Sequence, residues 1–403
     1  MEQTITEKTQ LNISHPGISN GMVMLMAITC GLVVANIYYN QPLLVQIAAT
    51  FRLTTNQVSI IATITQVGYT LGLLFVVPLG DKAERRKLIL VKTFGAAVCM
   101  MAAAFSANFY MLIAASLFVG IFSAVPQLLL PMAATMAPAA SRGKIVGKVM
   151  SGLLIGILLS RTLSGFIGAH LGWRAVFLTG GLATAIMLAI LSVKLPKNPP
   201  TFEGSYASLM KSLLTLTKEM PALRQAAFTG FCMFGAFSVF WTTLVFLLEG
   251  SPFYFKSDMV GMFGAIGACG ALAAPLAGKS SDRKGPQFTI LLGIAAAILA
   301  YVIMGFSGTS LTGLIAGVIL LDVGMQVTHI SNQSKVFALN PEARSRLNTV
   351  YISSSFAGGS LGSLLGARAW SADGWMGVCI LGTGMIVLAL LANIKGGKIT
   401  HQY

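Results

Sequence analysis

Long runs of apolar residues recur along the whole chain, and each run is about as long as a helix that crosses a membrane. A spanning helix needs roughly 20 mostly apolar residues, and about twelve segments meet this requirement. The first six lie at 20–48, 56–80, 88–106, 109–137, 145–170 and 174–195. The second six lie at 223–248, 257–279, 287–306, 309–337, 347–371 and 375–394. We number these segments spans 1 to 12, and they predict an all-α integral membrane protein.

The composition excludes the other large classes of protein. Hydrophobic residues make up 55% of the chain, charged residues make up only 10%, and the mean hydropathy is +0.78. Soluble domains carry roughly 25% charged residues, so this chain cannot cover a surface that faces water. A soluble enzyme, a disordered protein and a secreted disulfide scaffold are therefore excluded. The five cysteines lie in apolar runs without a CxxC pair, which predicts buried thiols and no metal site.

The basic residues predict how the chain is oriented. The 27 Lys and Arg outnumber the 12 Asp and Glu, and the formal net charge is +15. If both termini are cytoplasmic, 22 of the 27 basic residues fall on cytoplasmic segments and 4 on outer loops, while Arg161 lies inside span 5. This bias follows the positive-inside rule and predicts a multi-pass protein of the inner (plasma) membrane with both termini inside. It also explains the basic excess without a nucleic-acid partner.

The two halves of the chain repeat the same landmarks. Gly80-Asp81-Lys82 after span 2 recurs 201 residues later as Ser281-Asp282-Arg283 after span 8. A proline before spans 5 and 11 and a Gly-Trp pair after them keep almost the same spacing. The register predicts two pseudo-symmetric six-helix bundles, at 1–195 and 223–403, joined by a cytoplasmic linker at 196–222. A parallel repeat of this kind places a binding site between the halves, near the bilayer midplane.

Two ionisable residues lie deep in the apolar runs, Arg161 in span 5 and Asp322 in span 10. Each charge costs roughly 2.5–3.5 kcal/mol at such a position on insertion scales, which makes both residues functional candidates. Asp322 begins a polar stripe that continues with Gln326, His329 and Gln333 on one helix face. We hypothesise that Arg161 and Asp322 pair across a cavity and that Asp322 and His329 couple transport to protons. The alternatives are a fixed structural ion pair and, for His329, a hydrogen-bonded packing role.

Other spans carry polar or aromatic side chains at helical spacing, and their joint pattern predicts a cavity with amide and hydroxyl groups and an aromatic wall. Any one of these side chains could instead serve only in hydrogen bonding between helices. Besides Arg161, the candidate cavity residues are Asn36, Tyr39, Asn40, Gln66, Gln127, Trp241 and Gln326.

The loop after span 2 carries the most specific motif. It reads Val77-Pro78-Leu79-Gly80-Asp81-Lys82-Ala83-Glu84-Arg85-Arg86-Lys87 and resembles the Gly-x-Leu-x-Asp-Arg-x-Gly-Arg-Arg/Lys motif of the major facilitator superfamily. A second copy at 278–285 keeps the Asp and both glycines. In that family the loop Asp pairs with basic groups and with the start of a neighbouring helix, where a carboxylate is stabilised. The resemblance implies gating-loop roles for Asp81, Arg85, Arg86, Asp282 and Arg283.

The resemblance covers the whole chain and implies the major facilitator fold, with spans 1, 4, 7 and 10 around a central cavity. The proton-coupled drug and sugar efflux branch is the most similar, because span 5 is rich in glycine and Gly152 and Gly156 form a GxxxG. It implies a monomeric transporter without a cofactor that exports a small organic molecule across the lipid bilayer in exchange for protons. Proton-coupled uptake is the alternative. Neither an ATP-binding GxxxxGK[ST] run nor an enzyme motif occurs in the sequence.

Overall fold

The computed structural model describes residues 18–138, 141–200, 204–272, 280–281, 283–340 and 343–396, with the backbone alone at 268–272 and 395–396. Within these ranges all the regular secondary structure is helical, which confirms the predicted all-α architecture.

The helices of the first half follow the predicted spans. They are Asn20–Ala35 and Leu44–Phe51 (span 1), Thr55–Leu71 with its extension to Lys82 (span 2), Arg85–Ala104 (span 3), Phe109–Phe122 and Pro126–Met136 (span 4), Arg142–Leu171 (span 5) and Trp173–Lys194 (span 6). A separate helix, Tyr206–Glu219, lies in the predicted linker.

The helices of the second half also follow the predicted spans. They are Pro221–Glu249 (span 7), Ser257–Leu272 (span 8), Pro286–Phe306 (span 9), Leu311–Leu339 (span 10) and Arg344–Gly396 (spans 11 and 12). Asp373 and Gly374 have non-helical backbone and separate span 11 from span 12.

Nine helices in the described part of the chain are long and apolar enough to cross a membrane, and the last of them contains both span 11 and span 12. The two remaining spans fall short for separate reasons. Span 1 consists of two shorter apolar helices, and span 8 is described only to Leu272.

Three spans predicted as single helices are interrupted. Span 1 breaks after Ala35 and continues through a 3-10 helix at Gln41–Leu43. Span 2 contains a π-helical segment at Gly72–Val76, and span 4 restarts at Pro126. The breaks in spans 1 and 4 coincide with prolines, because proline lacks the N–H that an uninterrupted helix requires and its ring clashes with the preceding turn.

Helix packing separates the spans into two groups. In the first half, span 1 packs on span 5, span 2 on span 4 and span 3 on span 6; in the second, span 7 packs on the helix of spans 11 and 12, and span 10 packs on spans 8 and 9. The groups meet where span 5 packs on span 8 and span 2 on span 11. The boundaries of the two bundles and their linker, at 1–195, 196–222 and 223–403, remain a prediction.

We call the face where span 1 begins and span 12 ends the terminal face, and the other the opposite face.

Glycines set the distance between packed spans. A Cβ added to Gly68 in span 2 would collide with the carbonyl oxygen of Leu117 in span 4, and a Cβ on Gly156 in span 5 would collide with that of Gly31 in span 1. Helices in a membrane gain little from hydrophobic burial against one another, so such close backbone approach is a principal source of their attraction.

We predict that Gly68→Ala destabilises the protein by about 1–3 kcal/mol, because the added methyl group overpacks a backbone contact. The measurement is the Tm of the purified protein in detergent. The control is Gly384→Ala in span 12, where an added Cβ meets nothing within 4 Å and alanine favours the helix by up to about 1 kcal/mol. Equal Tm values for the two variants would show that the contact at Gly68 is not needed.

Candidate functional site

Arg161 and Asp322 lie beside the same helix, span 8, between the two halves of the protein. Gly261 faces the carbonyl oxygen of Arg161, and a Cβ there would lie 2.6 Å from it; a Cβ on Gly264 would lie 2.8 Å from the Cβ of Arg161. One turn further on, a Cβ on Gly267 would lie 3.1 Å from the carboxylate of Asp322. Both charged side chains are buried, at 2% and 4% exposure. The glycines of span 8 therefore allow spans 5 and 10 to bring opposite charges to one place.

The guanidinium of Arg161 is held by span 1 and span 7. Its Nε donates a 2.7 Å hydrogen bond to Oε1 of Gln41, which lies in the 3-10 segment that interrupts span 1. The guanidinium carbon lies 4.1 Å from the ring centre of Trp241 and 4.8 Å from that of Tyr38. Cation–π contacts of this kind contribute about 2 kcal/mol when they are desolvated, so Arg161 is fixed by its aromatic neighbours and an amide.

Asp322 interacts with Arg161 without touching it. The two groups share an electrostatic interaction, but the only ion pair within 4 Å among the described residues joins Asp81 to Arg85. The hypothesis of an Arg161–Asp322 pair therefore holds only as an attraction at longer range. The difference arises because the guanidinium is engaged by Gln41 and by aromatic rings.

Three buried polar atoms of this cluster have no hydrogen-bond partner among the described residues. They are Nη2 of Arg161, Nε1 of Trp241 and Oδ2 of Asp322. A buried polar atom without a partner costs about 1–3 kcal/mol, and more when it is charged. Two donors and one acceptor with unmet hydrogen bonds are suited to binding a small polar molecule, a proton or water. We call Arg161, Trp241 and Asp322 the central cluster.

A second polar group links the halves through span 2. Gln66 accepts a 3.2 Å hydrogen bond from the hydroxyl of Ser238 in span 7 and donates one of 3.4 Å to Ser363 in span 11. Thr242 in span 7 also hydrogen-bonds Ser363. Gln66 thus lies on the interface between the two halves. Its partners, Ser238 and Ser363, are not part of the central cluster.

Asn36 and Asn40 lie at the break in span 1, and both are buried. The amide of Asn36 donates to Thr184 in span 6 over 3.5 Å, and that of Asn40 donates to Thr65 in span 2 over 3.1 Å. Neither carbonyl oxygen has a partner among the described residues. These side chains therefore tie span 1 to its own half and keep one acceptor each for another molecule.

Tyr39 and Gln127 lie away from the central cluster. Tyr39 packs against the backbone of span 6, where a Cβ on Gly180 would lie 2.9 Å from its ring. Gln127 is half-buried in span 4 and lies beside Tyr69 of span 2. The predicted cavity residues of the first half are therefore dispersed over several helix contacts.

The polar stripe of span 10 divides between two neighbours. Asp322 faces span 8, whereas His329 hydrogen-bonds the hydroxyl of Tyr351 in span 11 over 2.9 Å, and Gln333 donates to Asn348 over 2.9 Å. Gln326, between them, is half-buried. His329 is thus engaged by a tyrosine in the second half and does not join the central cluster.

On the terminal face, Asp81 connects the two halves. Its carboxylate forms a 2.9 Å ion pair with Arg85 and accepts a hydrogen bond of 3.4 Å from Ser345, in the first turn of span 11. Arg85 also donates to the carbonyl oxygen of Gly80 and to Asn198. A carboxylate at the start of a helix is favourably placed with respect to the helix dipole, so this contact joins the loop after span 2 to the start of span 11.

The other predicted gating residues differ in their contacts. Arg86 donates to the carbonyl oxygen of Ser192 at the end of span 6, over 2.6 Å. Arg283 is exposed, and Asp282 lies outside the described residues.

On the opposite face, a chain of hydrogen bonds that the sequence analysis missed connects the halves. Gln46 in span 1 donates a 2.7 Å hydrogen bond to Ser257 at the start of span 8, and Ser257 donates one of 3.1 Å to Glu249 at the end of span 7. Nearby, Thr162 donates to the carbonyl oxygen of Gly261 over 2.9 Å. The halves therefore touch at both faces and enclose the central cluster.

Comparison with known proteins identifies the family. The model of the major facilitator superfamily matches residues 24–366. The chain belongs to the major facilitator superfamily. Members of this family are secondary transporters, so the chain is a multi-pass membrane transporter of a small molecule and is not an enzyme.

Individual members of the superfamily resemble the chain over most of its length. An uncharacterized transporter of Escherichia coli O157:H7, YgaY, is 40% identical over 379 residues, 94% of this chain and 96% of the relative. The inner membrane transport protein YnfM of Escherichia coli K12 is 24% identical over 98% of this chain and 96% of the relative. A crystal structure of a bacterial homolog of the human lysosomal transporter Spinster has a TM-score of 0.75 at 17% identity, and covers 92% of this chain and 95% of that one.

One basic residue of this superfamily member lies in an unexpected place. Lys92 is one of the 22 basic residues counted on cytoplasmic segments, but it lies inside span 3 and is only 1% exposed. Its Nζ donates a 2.7 Å hydrogen bond to the carbonyl oxygen of Ile121, close to the break in span 4. A broken helix leaves carbonyl groups without intrahelical partners, and Lys92 satisfies one of them. The cytoplasmic count therefore falls by one.

We predict that Gln66 and Ser238 are energetically coupled, because their hydrogen bond crosses between the halves of the transporter. The measurement is a double-mutant cycle of Gln66→Leu and Ser238→Ala, read from unfolding free energies in detergent micelles. Coupling energies of such bonds in membrane proteins average about 0.6 kcal/mol and reach about 1.7. The cycle supplies its own control, since the effects of each substitution that are unrelated to the bond cancel in the coupling energy. Strictly additive effects would contradict the contact.

Proposed function

We propose that this transporter exports a small organic molecule that carries a cationic group, in exchange for protons, by alternating access of its two halves. The observation that carries the proposal is the central cluster, in which the buried carboxylate of Asp322 has an oxygen without a partner among the described residues and touches no basic group there. Such a carboxylate can hold a proton or a cation.

Exchange follows from the charge of Asp322. A proton and a cationic group neutralise the same carboxylate, so the binding of one disfavours the other, and this effect is necessarily reciprocal. The positive charge of Arg161 lies close to Asp322 and weakens the binding of a cation there. Arg161 therefore assists release of the cation. The aromatic rings of Trp241 and Phe237, which are 6.0 Å apart, offer an apolar surface for the rest of the molecule.

Alternating access is supported by the contacts at the two faces. Asp81 and Ser345 join the halves at the terminal face, and Gln46 and Ser257 join them at the opposite face. Each contact consists of one or two hydrogen bonds worth about 0.5–1.5 kcal/mol each. These polar contacts can therefore break at modest cost, and a ligand shifts the equilibrium by as much as its affinity differs between the two states.

The predicted orientation places the terminal face in the cytoplasm, and the proton gradient sets the direction of transport. The distribution of basic residues favours a cytoplasmic terminal face, and the similar protein YnfM is an inner membrane transport protein. A plasma membrane maintains an inward proton gradient, so exchange for protons moves the substrate outward.

Proton-coupled uptake of an organic anion is the second candidate, and a specific observation favours it. Nη2 of Arg161 and Nε1 of Trp241 are donors without partners among the described residues, and together they suit a carboxylate. An anion bound there would offset the charge of Arg161 and so favour proton binding at Asp322. Proton and anion would then move together, which is symport.

We predict substrate-driven proton flux in proteoliposomes that contain a pH-sensitive dye and carry an imposed proton gradient. Organic cations should move protons in the direction opposite to their own, and Asp322→Asn should reduce this flux at least tenfold because the amide cannot exchange a proton. The control is Asp258→Asn, at an acidic residue in the first turn of span 8, which should keep the flux. Co-directional movement with organic anions would replace exchange with symport.

We predict that Arg161→Lys lowers substrate-driven proton flux about tenfold. Lysine loses the planar contact with Trp241 and the geometry of the bond to Gln41, and arginine and lysine are not interchangeable at stacked sites. Arg174→Lys is a matched control, because Arg174 lies 4.3 Å from the ring centre of Trp173 but is remote from the central cluster. An equal effect of both changes would mean that Arg161 serves only in packing.

A further inference from the structure

A groove runs along the outside of the first half, between span 1 and span 5. Its volume is about 640 Å³, and its lining residues all belong to these two spans. The floor is formed by Gly31, Gly152 and Gly156, where the two backbones approach closely. The missing side chains create the depth of the groove, so it is a consequence of the same packing that holds the spans together.

The walls of the groove face the hydrocarbon of the membrane. Five large apolar side chains of the lining are between 48% and 61% exposed. They are Met24, Ile28, Ile155, Leu159 and Leu163. In a chain that spans a bilayer, exposed apolar side chains at this depth contact lipid, and lipid is therefore the molecule that meets the groove.

The end of the groove at the terminal face is polar. Asn20, Lys148 and Ser151 line it there, and Lys144 lies one helical turn before Lys148, also exposed. Lys148 forms no ion pair with any described residue. An amide and an unpaired ammonium group at the head of an apolar groove complement an anionic headgroup with a hydrocarbon chain.

The groove is longer than one lipid leaflet is thick. From Lys148 to Leu163 the helix rises about 22 Å, at 1.5 Å per residue, whereas half of the hydrocarbon core of a bilayer is about 15 Å thick. An acyl chain that spans its leaflet therefore fits within the length of the groove. The groove accommodates a complete chain, with its headgroup at Lys148.

We infer that the groove between spans 1 and 5 binds an anionic phospholipid, with an acyl chain along the groove and the phosphate at Lys148. The site is separate from the central cluster, and the inference is independent of which substrate the transporter carries. The charge of Lys148 distinguishes the occupant from a neutral lipid, since each basic residue near an anionic surface contributes about fivefold in affinity.

The test uses a tryptophan reporter and brominated lipid, which quenches tryptophan on contact. Ile155→Trp places a reporter in the groove, and Ile186→Trp places one on the lipid-facing side of span 6, where Ile186 is 63% exposed. Both variants are reconstituted in phosphatidylcholine with increasing fractions of phosphatidylglycerol brominated in mid-chain. We expect half-maximal quenching of Ile155→Trp at a fraction about fivefold lower than for Ile186→Trp. The four native tryptophans give the same background in every sample.

Charge removal completes the test. Lys148→Met in the Ile155→Trp protein should remove the preference, and Lys194→Met, at an exposed lysine at the end of span 6, should leave it intact. Equal quenching of the two reporters, equal quenching by brominated phosphatidylcholine, or an unchanged preference in Lys148→Met would overturn the inference. Absence of quenching at Ile155→Trp would overturn it as well, since the groove would then be filled by protein.

Discussion

The close approach of helix backbones at glycines is the constraint on which the rest of this structure depends. In a bilayer, helices are not driven together by hydrophobic burial, so the distance between them is set by the smallest residues in contact. Gly68 with Leu117, and Gly31 with Gly156, hold the first half together. In span 8, Gly264 and its neighbours bring Arg161 and Asp322 within electrostatic range of each other. The same kind of contact therefore builds both the scaffold and its charged centre.

The glycines also explain why the charges do not join directly. Arg161 and Asp322 approach span 8 at positions one turn apart, next to Gly264 and Gly267. Meanwhile Gln41 and Trp241 orient the guanidinium. A direct buried ion pair would neutralise both groups and would have to be broken in every cycle, at a cost of several kcal/mol. A separated pair keeps the attraction moderate and leaves each group able to bind something else.

Hydropathy predicted the spans because about 20 consecutive apolar residues are a physical requirement of the bilayer. It did not predict where a span breaks, as span 1 does before Gln41, because membrane helices tolerate proline, so that a proline such as Pro42 does not by itself mark a break. The importance of Arg161 and Asp322 was predictable from the energetic cost of placing a charge inside the membrane. Their partners were not, since Gln41 and Trp241 reach Arg161 from other spans and no local pattern in the sequence reports such contacts. The repeated glycines at Gly261, Gly264 and Gly267 were a signal that could have placed spans 5 and 10 beside span 8.

The polar stripe of span 10 and Lys92 show the limits of reading one helix at a time. Asp322 and His329 share a helix face, but the neighbour changes from span 8 to span 11 along that face, so residues that belong together by spacing have different surroundings. Lys92 was counted among the cytoplasmic basic residues, whereas it lies inside span 3, whose helix begins at Arg85. Its charge is then buried beside the break in span 4, where a carbonyl group needs a donor. A basic residue therefore indicates the orientation of the chain only when its side chain is exposed to water. A buried basic residue that donates to a free carbonyl group of a broken helix, as Lys92 does, stabilises the structure instead.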